Sequence, residues 1–198
     1  MAKPRIEMIA ETRTKLIAAA RQAFGTVGYA EASMDDFTGE AGLTRGALYH
    51  HFGDKKGLLQ AVIQQIDAEM TARLHKVSAK APNRWQAFVD ECVAYIEMAV
   101  EPEIQRIMFR DGSAVLGDIS QWPSTNGCIQ ALSESLRKLQ AEGEIGGDID
   151  IEVTARLING ASSHAALWIA NSDDPQETSR RAVTGFRTLL ERLRIERP

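Results

Sequence analysis

Residues 42–52 read GLTRGALYHHF and bring together side chains that can bind nucleic acid. A hydroxyl, an arginine, a tyrosine and two adjacent histidines stand in one short run, whereas a segment meant only for a protein core would be more uniformly apolar. Arginine and threonine side chains hydrogen-bond to base edges, and tyrosine and lysine side chains reach phosphates. The run is therefore a candidate DNA-reading segment, provided that the surrounding elements present these side chains on one face.

Two short helices joined by a tight turn would provide that face. Ser33 is an N-cap candidate followed by acidic residues and predicts a helix over residues 34–41, and Thr44 predicts a second helix over residues 44–51. A longer helix precedes them, and its apolar positions are Leu16, Ile17, Ala20 and Phe24. This order is typical of a three-helix DNA-binding unit, in which the second helix of the pair enters the major groove.

Eight residues of this unit are predicted to contact DNA. Side chains at the start of the second helix would read base edges, and helix N-termini would offer backbone N–H groups to phosphates. Gly46 would let the backbone come close to the DNA, and Tyr49 and Lys55 would hold phosphates on either side. The predicted DNA-binding residues are Ser33, Thr44, Arg45, Gly46, Ala47, Tyr49, His50 and Lys55.

The run SMDDFTGEAGLTRGALYHHFGDKKGLL resembles the signature of the tetracycline-repressor (TetR) family of bacterial transcription regulators. The resemblance extends over about residues 10–63, includes the FGTVGYA end of the first helix, and rests on the order and spacing of these elements. It implies a dimer with a helix-turn-helix in each subunit and a helical ligand-binding and dimerisation domain behind it. Phe37-Thr38-Gly39 departs from the family pattern, and Gly39 should weaken its helix by up to about 1 kcal/mol relative to alanine.

The rest of the chain has helical periodicity almost throughout, so the predicted class is all-α with about nine helices. A Gly-, Ser- and Pro-rich stretch over residues 112–126 is predicted to contain a loop. We expect a helix-turn-helix DNA-binding domain over residues 1–53 and an effector-binding and dimerisation domain over residues 54–198.

A ligand site is a further hypothesis for the second domain. Asp111 and His164 continue apolar stripes, so each either finds a partner in the core or at a helix end, or orients a ligand in a mostly apolar pocket. The candidate effector-binding residues are Trp85, Phe88, Cys92, Tyr95, Met108, Asp111, Trp122, His164 and Trp168.

The last two helices are predicted to join two copies of the chain. Small residues from Gly160 to Ala166 would allow close helix approach, and the next helix carries an apolar stripe. The stripe consists of Ala182, Phe186, Leu189, Leu190 and Leu193. Ordinary packing within the chain would also use these faces. A two-fold dimer is nevertheless expected, because one helix-turn-helix alone has little specificity, and the family resemblance implies a four-helix interface.

The composition limits the possible class of protein, its location and its cofactors. A hydrophobic share of 44% and a charged share of 25% are ordinary for a globular protein, and a net charge of −4 argues only weakly against nucleic acid. The chain shows no stretch long enough to span a membrane and no secretory h-region, and its two cysteines form no zinc motif, so a reduced, cytoplasmic location without metal or other cofactor is expected. Adjacent His50 and His51 point in different directions on a helix, which disfavours a metal site.

Two other classes remain open at this stage. An all-α enzyme would need a phosphate loop, a metal cluster or a GxSxG elbow, and the sequence has none. A helical interaction protein would have no use for Thr44, Arg45, Tyr49 and Lys55. The expected function is therefore not enzymatic: a homodimeric repressor of transcription that releases a palindromic double-stranded DNA operator when it binds a small apolar or aromatic effector.

Overall fold

The computed structural model describes residues 5–195 and shows an all-α protein, as predicted. The α-helices are α1 (Arg5–Val27), α2 (Met34–Glu40), α3 (Arg45–Phe52), α4 (Lys55–Ser78), α5 (Arg84–Glu97), α6 (Pro102–Ile104), α7 (Ser113–Leu116), α8 (Pro123–Ala141), α9 (Ile151–Ala170) and α10 (Pro175–Glu191). A π-helix, Gln105–Gly112, joins α6 to α7, so these three pieces form one continuous helical segment.

The chain divides into two compact units. The first unit contains the residues up to Ile66 together with Pro102–Gly117, and the second contains Asp67–Glu101 and the residues from Asp118 onwards. Helix α4 contributes its start to the first unit and its end to the second. The domain boundary predicted after residue 53 separates two functional domains and not two compact units, so it stays a prediction.

The core of the first unit forms where α1 meets the helix-turn-helix. Helix α1 buries Leu16, Ala20 and Phe24, and the Phe24 ring lies with its centroid 6.0 Å from that of Phe37 in α2. The ring of Tyr29, in the connection between α1 and α2, lies 5.4 Å from the Phe24 ring. Burial of these aromatic side chains holds the short helices, which would be marginal alone, against the longer one.

The loop predicted within residues 112–126 is confirmed. The helix continues through Leu116 and α8 begins at Pro123, so the connection between these two α-helices lies inside that stretch. Proline suits the first turn of a helix because its fixed φ is helical and its missing N–H is not needed there. The actual connection is shorter, and Gly117 (φ +87°) ends α7 in a conformation that favours glycine.

The second unit is built from the end of α4 and from α5, α8, α9 and α10. Its buried side chains include Phe88, Val93 and Ile96 of α5, Leu136 and Leu139 of α8 and Phe186 and Leu190 of α10. Helix α9 packs through Ala155, Ile158, Ala166 and Ile169. The expectation that Phe186 and Leu190 lie at a face between copies is therefore wrong, because these two residues fill the core of their own subunit.

Candidate nucleic-acid interface

The turn between α2 and α3 is built by local contacts that the sequence encodes. Ser33 and Thr44 are the N-caps of the two helices, as predicted, and their hydroxyls accept hydrogen bonds from the N–H groups of Asp36 (3.3 Å) and Ala47 (3.2 Å). Gly42 takes a left-handed conformation (φ +67°), and the N–H of Leu43 donates to the carbonyl of Thr38 at 2.8 Å. These contacts set the direction in which α3 leaves the turn.

Helix α3 buries one side and exposes the other. Leu48 is fully buried, whereas Thr44, Arg45, Gly46, Tyr49 and His50 are exposed, and Ala47 lies half-buried between the two sides. Five of the eight predicted contact residues thus share an open, polar face at the start and middle of one helix. Such a face can enter the major groove, which admits a single α-helix.

Arg45 is linked to two neighbours on this face. Its guanidinium donates to the Asp35 carboxylate at 3.3 Å and to the Tyr49 hydroxyl at 3.1 Å. These contacts raise the pKa of Arg45, the Tyr49 hydrogen bond more than the Asp35 charge. The Arg45 and Tyr49 side chains are therefore held together before any DNA is present, so both can be presented to the same stretch of the groove.

Lys55 is held against the connection between α1 and α2. Its ammonium donates to the carbonyl of Ala30 at 3.4 Å and lies 4.7 Å from the centre of the Tyr29 ring. Burial lowers the pKa of Lys55, and the charges of Glu31 and Asp111 act in the opposite direction. A phosphate contact by Lys55 would use an ammonium that this region already positions.

The histidines differ from each other in their surroundings. His50 is exposed, whereas His51 is half-buried and its pKa is lowered, chiefly by burial and then by the charges of His50 and Arg13. Arg13 of α1 donates to the carbonyl of His51 at 3.2 Å and lies 4.5 Å from the centre of the Phe52 ring. Arg13 was missed in the sequence because its partners lie 38 residues away along the chain.

The segment from α6 through the π-helix makes three polar contacts with α1 and the residues just after it. Arg21 forms a two-pronged ion pair with Glu103 (2.7 and 2.8 Å), and Arg106 donates to the carbonyl of Thr26 at 2.9 Å. The carboxylate of Asp111 accepts a hydrogen bond from the N–H of Tyr29 at 2.8 Å. Of the two readings left open for Asp111, the structure supports a structural partner.

At Gly28 and at Gly57, another part of the first unit lies too close to leave room for a side chain. A Cβ at Gly28 (φ +89°) would lie 2.8 Å from the Arg106 guanidinium, and one at Gly57 would lie 2.1 Å from the carbonyl oxygen of Phe52. Glycine is therefore required at both positions, and Gly57 was not singled out in the sequence.

The nine candidate effector residues are distributed over both units. Met108 and Asp111 belong to the first unit, and the others to the second. Within the second unit Trp85 is core, with its indole N–H donating to Glu191 at 3.2 Å, and Phe88, Cys92 and Trp122 are buried. Tyr95 is half-buried and hydrogen-bonded to Ser163.

His164 and Trp168 lie on the exposed side of α9. Trp168 is 46% exposed and Leu157, on the same stripe, is 68% exposed. This stripe therefore does not face the core of its own subunit, because α9 packs within the subunit through its opposite side. The guanidinium of Arg181 in α10 lies 5.9 Å from the centre of the Trp168 ring.

Other site types find little support in the part of the chain that the structure describes. Among residues 5–195 no cluster of three His, Cys, Asp or Glu side chains is arranged to hold a metal ion. None of the described helices is both long enough and apolar enough to cross a membrane.

The fold and this face define an all-α protein with an N-terminal helix-turn-helix. Residues 16–62 match the family model described as bacterial regulatory proteins, tetR family, and residues 85–193 match the model described as tetracyclin repressor-like, C-terminal domain. The second match alone covers more than half of the chain. The chain belongs to the TetR family, as its helix-turn-helix signature predicted.

Known proteins agree with this assignment. A crystal structure of a TetR-family transcriptional regulator from Pectobacterium atrosepticum is 45% identical, with a TM-score of 0.89 over 99% of this chain and 100% of that one. The HTH-type transcriptional regulator UidR of Escherichia coli K12 is 28% identical over 90% of this chain and 91% of its own length. The probable acrEF/envCD operon repressor of the same strain is 26% identical over 81% and 77%.

These findings establish the general function. The chain is a TetR-family transcriptional regulator, and this family consists of DNA-binding regulators and not of enzymes. Regulators of the family bind DNA and dimerise.

Proposed function

We propose that this protein is a homodimeric repressor that binds a palindromic operator through α3 and releases it when a small apolar or aromatic effector binds. The observation that carries the proposal is the exposed face of α3, on which Arg45 and Tyr49 stand beside Thr44 above the buried Leu48. Arginine and threonine can hydrogen-bond base edges. The exposed Ser33, Gly46 and His50, with the half-buried Ala47 and Lys55, would contribute the surrounding backbone and phosphate contacts.

The proposed dimer uses the outward faces of α9 and α10. We define the α9 outward face as Val153, Leu157, Gly160, Ala161, His164 and Trp168, all of which are exposed. Helix α10 adds Leu189, which is 63% exposed, and Gly185. An apolar surface of this kind on two adjacent helices is typical of an interface, and a two-fold arrangement would pack the same faces against each other.

The two glycines support close helix approach at this surface. A Cβ added at Gly160 or Gly185 would meet no atom within 4 Å. Glycine inside a helix costs about 1 kcal/mol relative to alanine, and packing within the subunit gives no reason for it at either position. A second copy whose helices come close to these positions would give that reason.

Repression is supported by one relative, and release by an effector is supported by the first unit. One relative is named as a probable operon repressor. The π-helix Gln105–Gly112 is an irregular helix of a kind frequent at functional sites, and its contacts join it to Thr26 and Tyr29 next to the helix-turn-helix. A movement of this segment on effector binding would reach α2 and α3 through those contacts.

The test is a selection of genomic DNA fragments by the purified protein, followed by fluorescence anisotropy on the selected sequence. We expect a palindromic site, binding by a dimer and an affinity that falls steeply with salt as counterions are released. Compounds related to neighbouring genes would then be screened for quenching of tryptophan emission and for operator release. Binding that ignores salt, or a selected site without two-fold symmetry, would contradict the proposal.

Linkage supplies a strict check on any candidate effector. If the effector weakens operator binding by a given factor, the operator must weaken effector binding by the same factor. We expect a coupling free energy of about 1–3 kcal/mol. A compound that binds free and DNA-bound protein equally well is a bystander.

A further inference from the structure

A cluster of polar side chains lies inside the second unit, away from the helix-turn-helix. Four helices contribute to it: Asp67 from α4, Tyr95 from α5, Ser124 and Cys128 from α8 and Ser163 from α9. The Ser124 hydroxyl donates a hydrogen bond to the Asp67 carboxylate, and Tyr95 is hydrogen-bonded to Ser163. Five polar side chains from four different helices therefore lie close together.

The cluster contains one carboxyl group and no basic side chain. Burial raises the pKa of Asp67, and the hydrogen bond from Ser124 opposes that shift. The negative charge of Asp67 in turn raises the pKa of Tyr95 and of Cys128, in addition to burial. None of the charges that shift the pKa of these three groups is positive.

The Tyr95 phenol stays neutral under ordinary conditions. Burial raises its pKa to about 12, so its hydroxyl remains protonated and can donate or accept a hydrogen bond. The Cys128 thiol also has a raised pKa and remains neutral at pH 7. Asp67 is therefore the only acid of the cluster whose ordinary pKa lies below 7.

The cluster can be reached from solvent, and two of its members have apolar residues close to them in sequence. Asp67 is half-buried and Cys128 is an exposed residue, although its sulfur lies deep enough for burial to raise its pKa. Cys92 lies one turn before Tyr95 on α5, and Trp122 directly precedes α8; both are buried. A polar end with a carboxylate and an apolar flank suits an amphipathic small molecule.

A protonated amine fits the polar end best. A carboxylate accepts hydrogen bonds only, and its two oxygens have room for several donors, of which the Ser124 hydroxyl is one. An ammonium group brings three N–H donors and the opposite charge, which offsets the cost of a partly desolvated carboxylate. A ligand carboxylate or phosphate would meet the like charge of Asp67.

We propose that the Asp67–Tyr95–Ser124–Cys128–Ser163 cluster is the polar end of the effector site and that it selects small amphipathic molecules with a protonated amine. The ammonium would bind the Asp67 carboxylate, and the Tyr95 hydroxyl would accept a further N–H. This inference rests on the proposed function for its regulatory meaning, but the binding preference itself can be measured without DNA.

The experiment compares probes that differ only at the polar end. Phenethylamine, phenethyl alcohol and phenylacetate form one matched set, and hexylamine, hexanol and hexanoate form another. Binding to the full-length protein at pH 7 is measured by calorimetry and by the shift in Tm. We expect the amine of at least one set to bind about tenfold or more tightly than its alcohol, as charge-assisted hydrogen bonds do, and the carboxylates to bind most weakly.

Variants tie that preference to Asp67. Asp67→Asn should remove the preference for amine over alcohol while alcohol binding stays unchanged, and Asp173→Asn, at an exposed position of the same unit, should keep the preference. Cys128→Lys would place a tethered ammonium beside Asp67, so it should raise Tm and abolish amine binding. This second variant keeps the proposal testable if Asp67→Asn does not fold.

Several results would overturn the proposal. Equal binding of amine and alcohol, stronger binding of the carboxylates, absence of binding by every amine, or an amine preference that survives in Asp67→Asn would each do so. A lower Tm of Asp67→Asn with unchanged ligand preference would show that Asp67 only stabilises the start of α8. Failure of the wild-type protein to bind any operator would instead reject the proposed function. The amine preference would still be decided by the calorimetry and Tm measurements, which need no DNA.

Discussion

Helices α3 and α9 each bury one side and expose the other, but their exposed sides have opposite chemistry. Helix α3 covers the fully buried Leu48 and exposes a hydroxyl, a guanidinium, a phenol and an imidazole. Helix α9 covers Ile158 and Ile169 and exposes mostly apolar side chains, among them Leu157 at 68%. Amphipathic periodicity alone would place the polar residues outside in both helices.

The contrast shows what each surface requires from a partner. A polar face remains stable in water and can exchange its water contacts for phosphate and base contacts. An apolar face gains free energy only when another apolar surface removes it from water. The face of α3 therefore fits DNA, and the α9 outward face fits a second copy of the chain. Five predictions would break or sharpen this comparison.

The largest expected effect is loss of the dimer on combining Leu157→Glu with Leu189→Glu. Each leucine occurs twice in a two-fold dimer, so at about 1.5–3 kcal/mol per buried leucine the change removes at least about 6 kcal/mol of association free energy. Sedimentation should show a folded monomer, and operator affinity should fall with it. Ile6→Glu, at an 81% exposed apolar residue of α1, is the matched control and should remain dimeric. A folded double variant that sediments as a dimer would refute this interface.

The next effect concerns Arg45 on the α3 face. Arg45→Ala should cost about 1–3 kcal/mol per half-site and relax the preference at one base pair, because a bidentate base contact carries that discrimination. Its dimerisation should not change. Affinity is to be measured on operators substituted at each position. An equal loss on all sequences would identify Arg45 as a phosphate contact.

Gly46 separates DNA contact from stability. A Cβ there would meet only the Thr44 hydroxyl, at 3.6 Å, which is an ordinary contact, so Gly46→Ala should leave the free energy of unfolding unchanged or raise it. If the backbone approaches the DNA closely, the operator affinity of this variant should fall by about tenfold, or about 1.4 kcal/mol.

Gly57→Ala serves as the contrast for that test. Its Cβ would lie 2.1 Å from a backbone carbonyl oxygen, so this variant should lose stability first. Unchanged operator affinity in Gly46→Ala would show that no close backbone approach occurs at that position.

Lys55, at the start of α4, tests the electrostatic part of the proposed DNA-binding surface. If its ammonium neutralises a phosphate, Lys55→Ala should make the slope of log affinity against log salt shallower by about one unit per half-site and weaken all sequences alike. Lys80→Ala, in the second unit, is the charge-matched control and should leave the slope unchanged. Reduced stability with an unchanged slope would mean that the contacts of Lys55 with Ala30 and Tyr29 are its main role.

The smallest effect is expected at Gly39 in α2. This glycine is exposed and its Cβ would meet open space, so Gly39→Ala should raise the free energy of unfolding by up to about 1 kcal/mol in urea denaturation. Gly42→Ala, two residues past the end of α2, should instead lower it because Gly42 has φ +67°. No gain from Gly39→Ala would indicate that α2 draws its stability from Phe37 and not from its helix propensity.

Local chemistry explains why the helix-turn-helix could be predicted from the sequence. Its caps, Ser33 and Thr44, accept hydrogen bonds from N–H groups three residues further on, and Gly42 makes the turn by its own backbone conformation. The all-α class followed from helical periodicity in the same way. The loop after the π-helix could be predicted only as part of a longer stretch, since Gly, Ser and Pro occur both in loops and in first helical turns.

Contacts between residues that are far apart in the sequence could be identified only in the tertiary structure. Periodicity shows which residues of α9 share a face, but not whether that face points into its own subunit or away from it. Asp111 finds its partner at Tyr29, 82 residues away, and the Asp67 cluster draws on four helices. The sequence by itself determined the helices and the candidate DNA-reading face, because those depend on neighbours within a few positions. The outward face of α9 and the half-buried Asp67 carboxylate depend on how the helices pack, which no local pattern encodes.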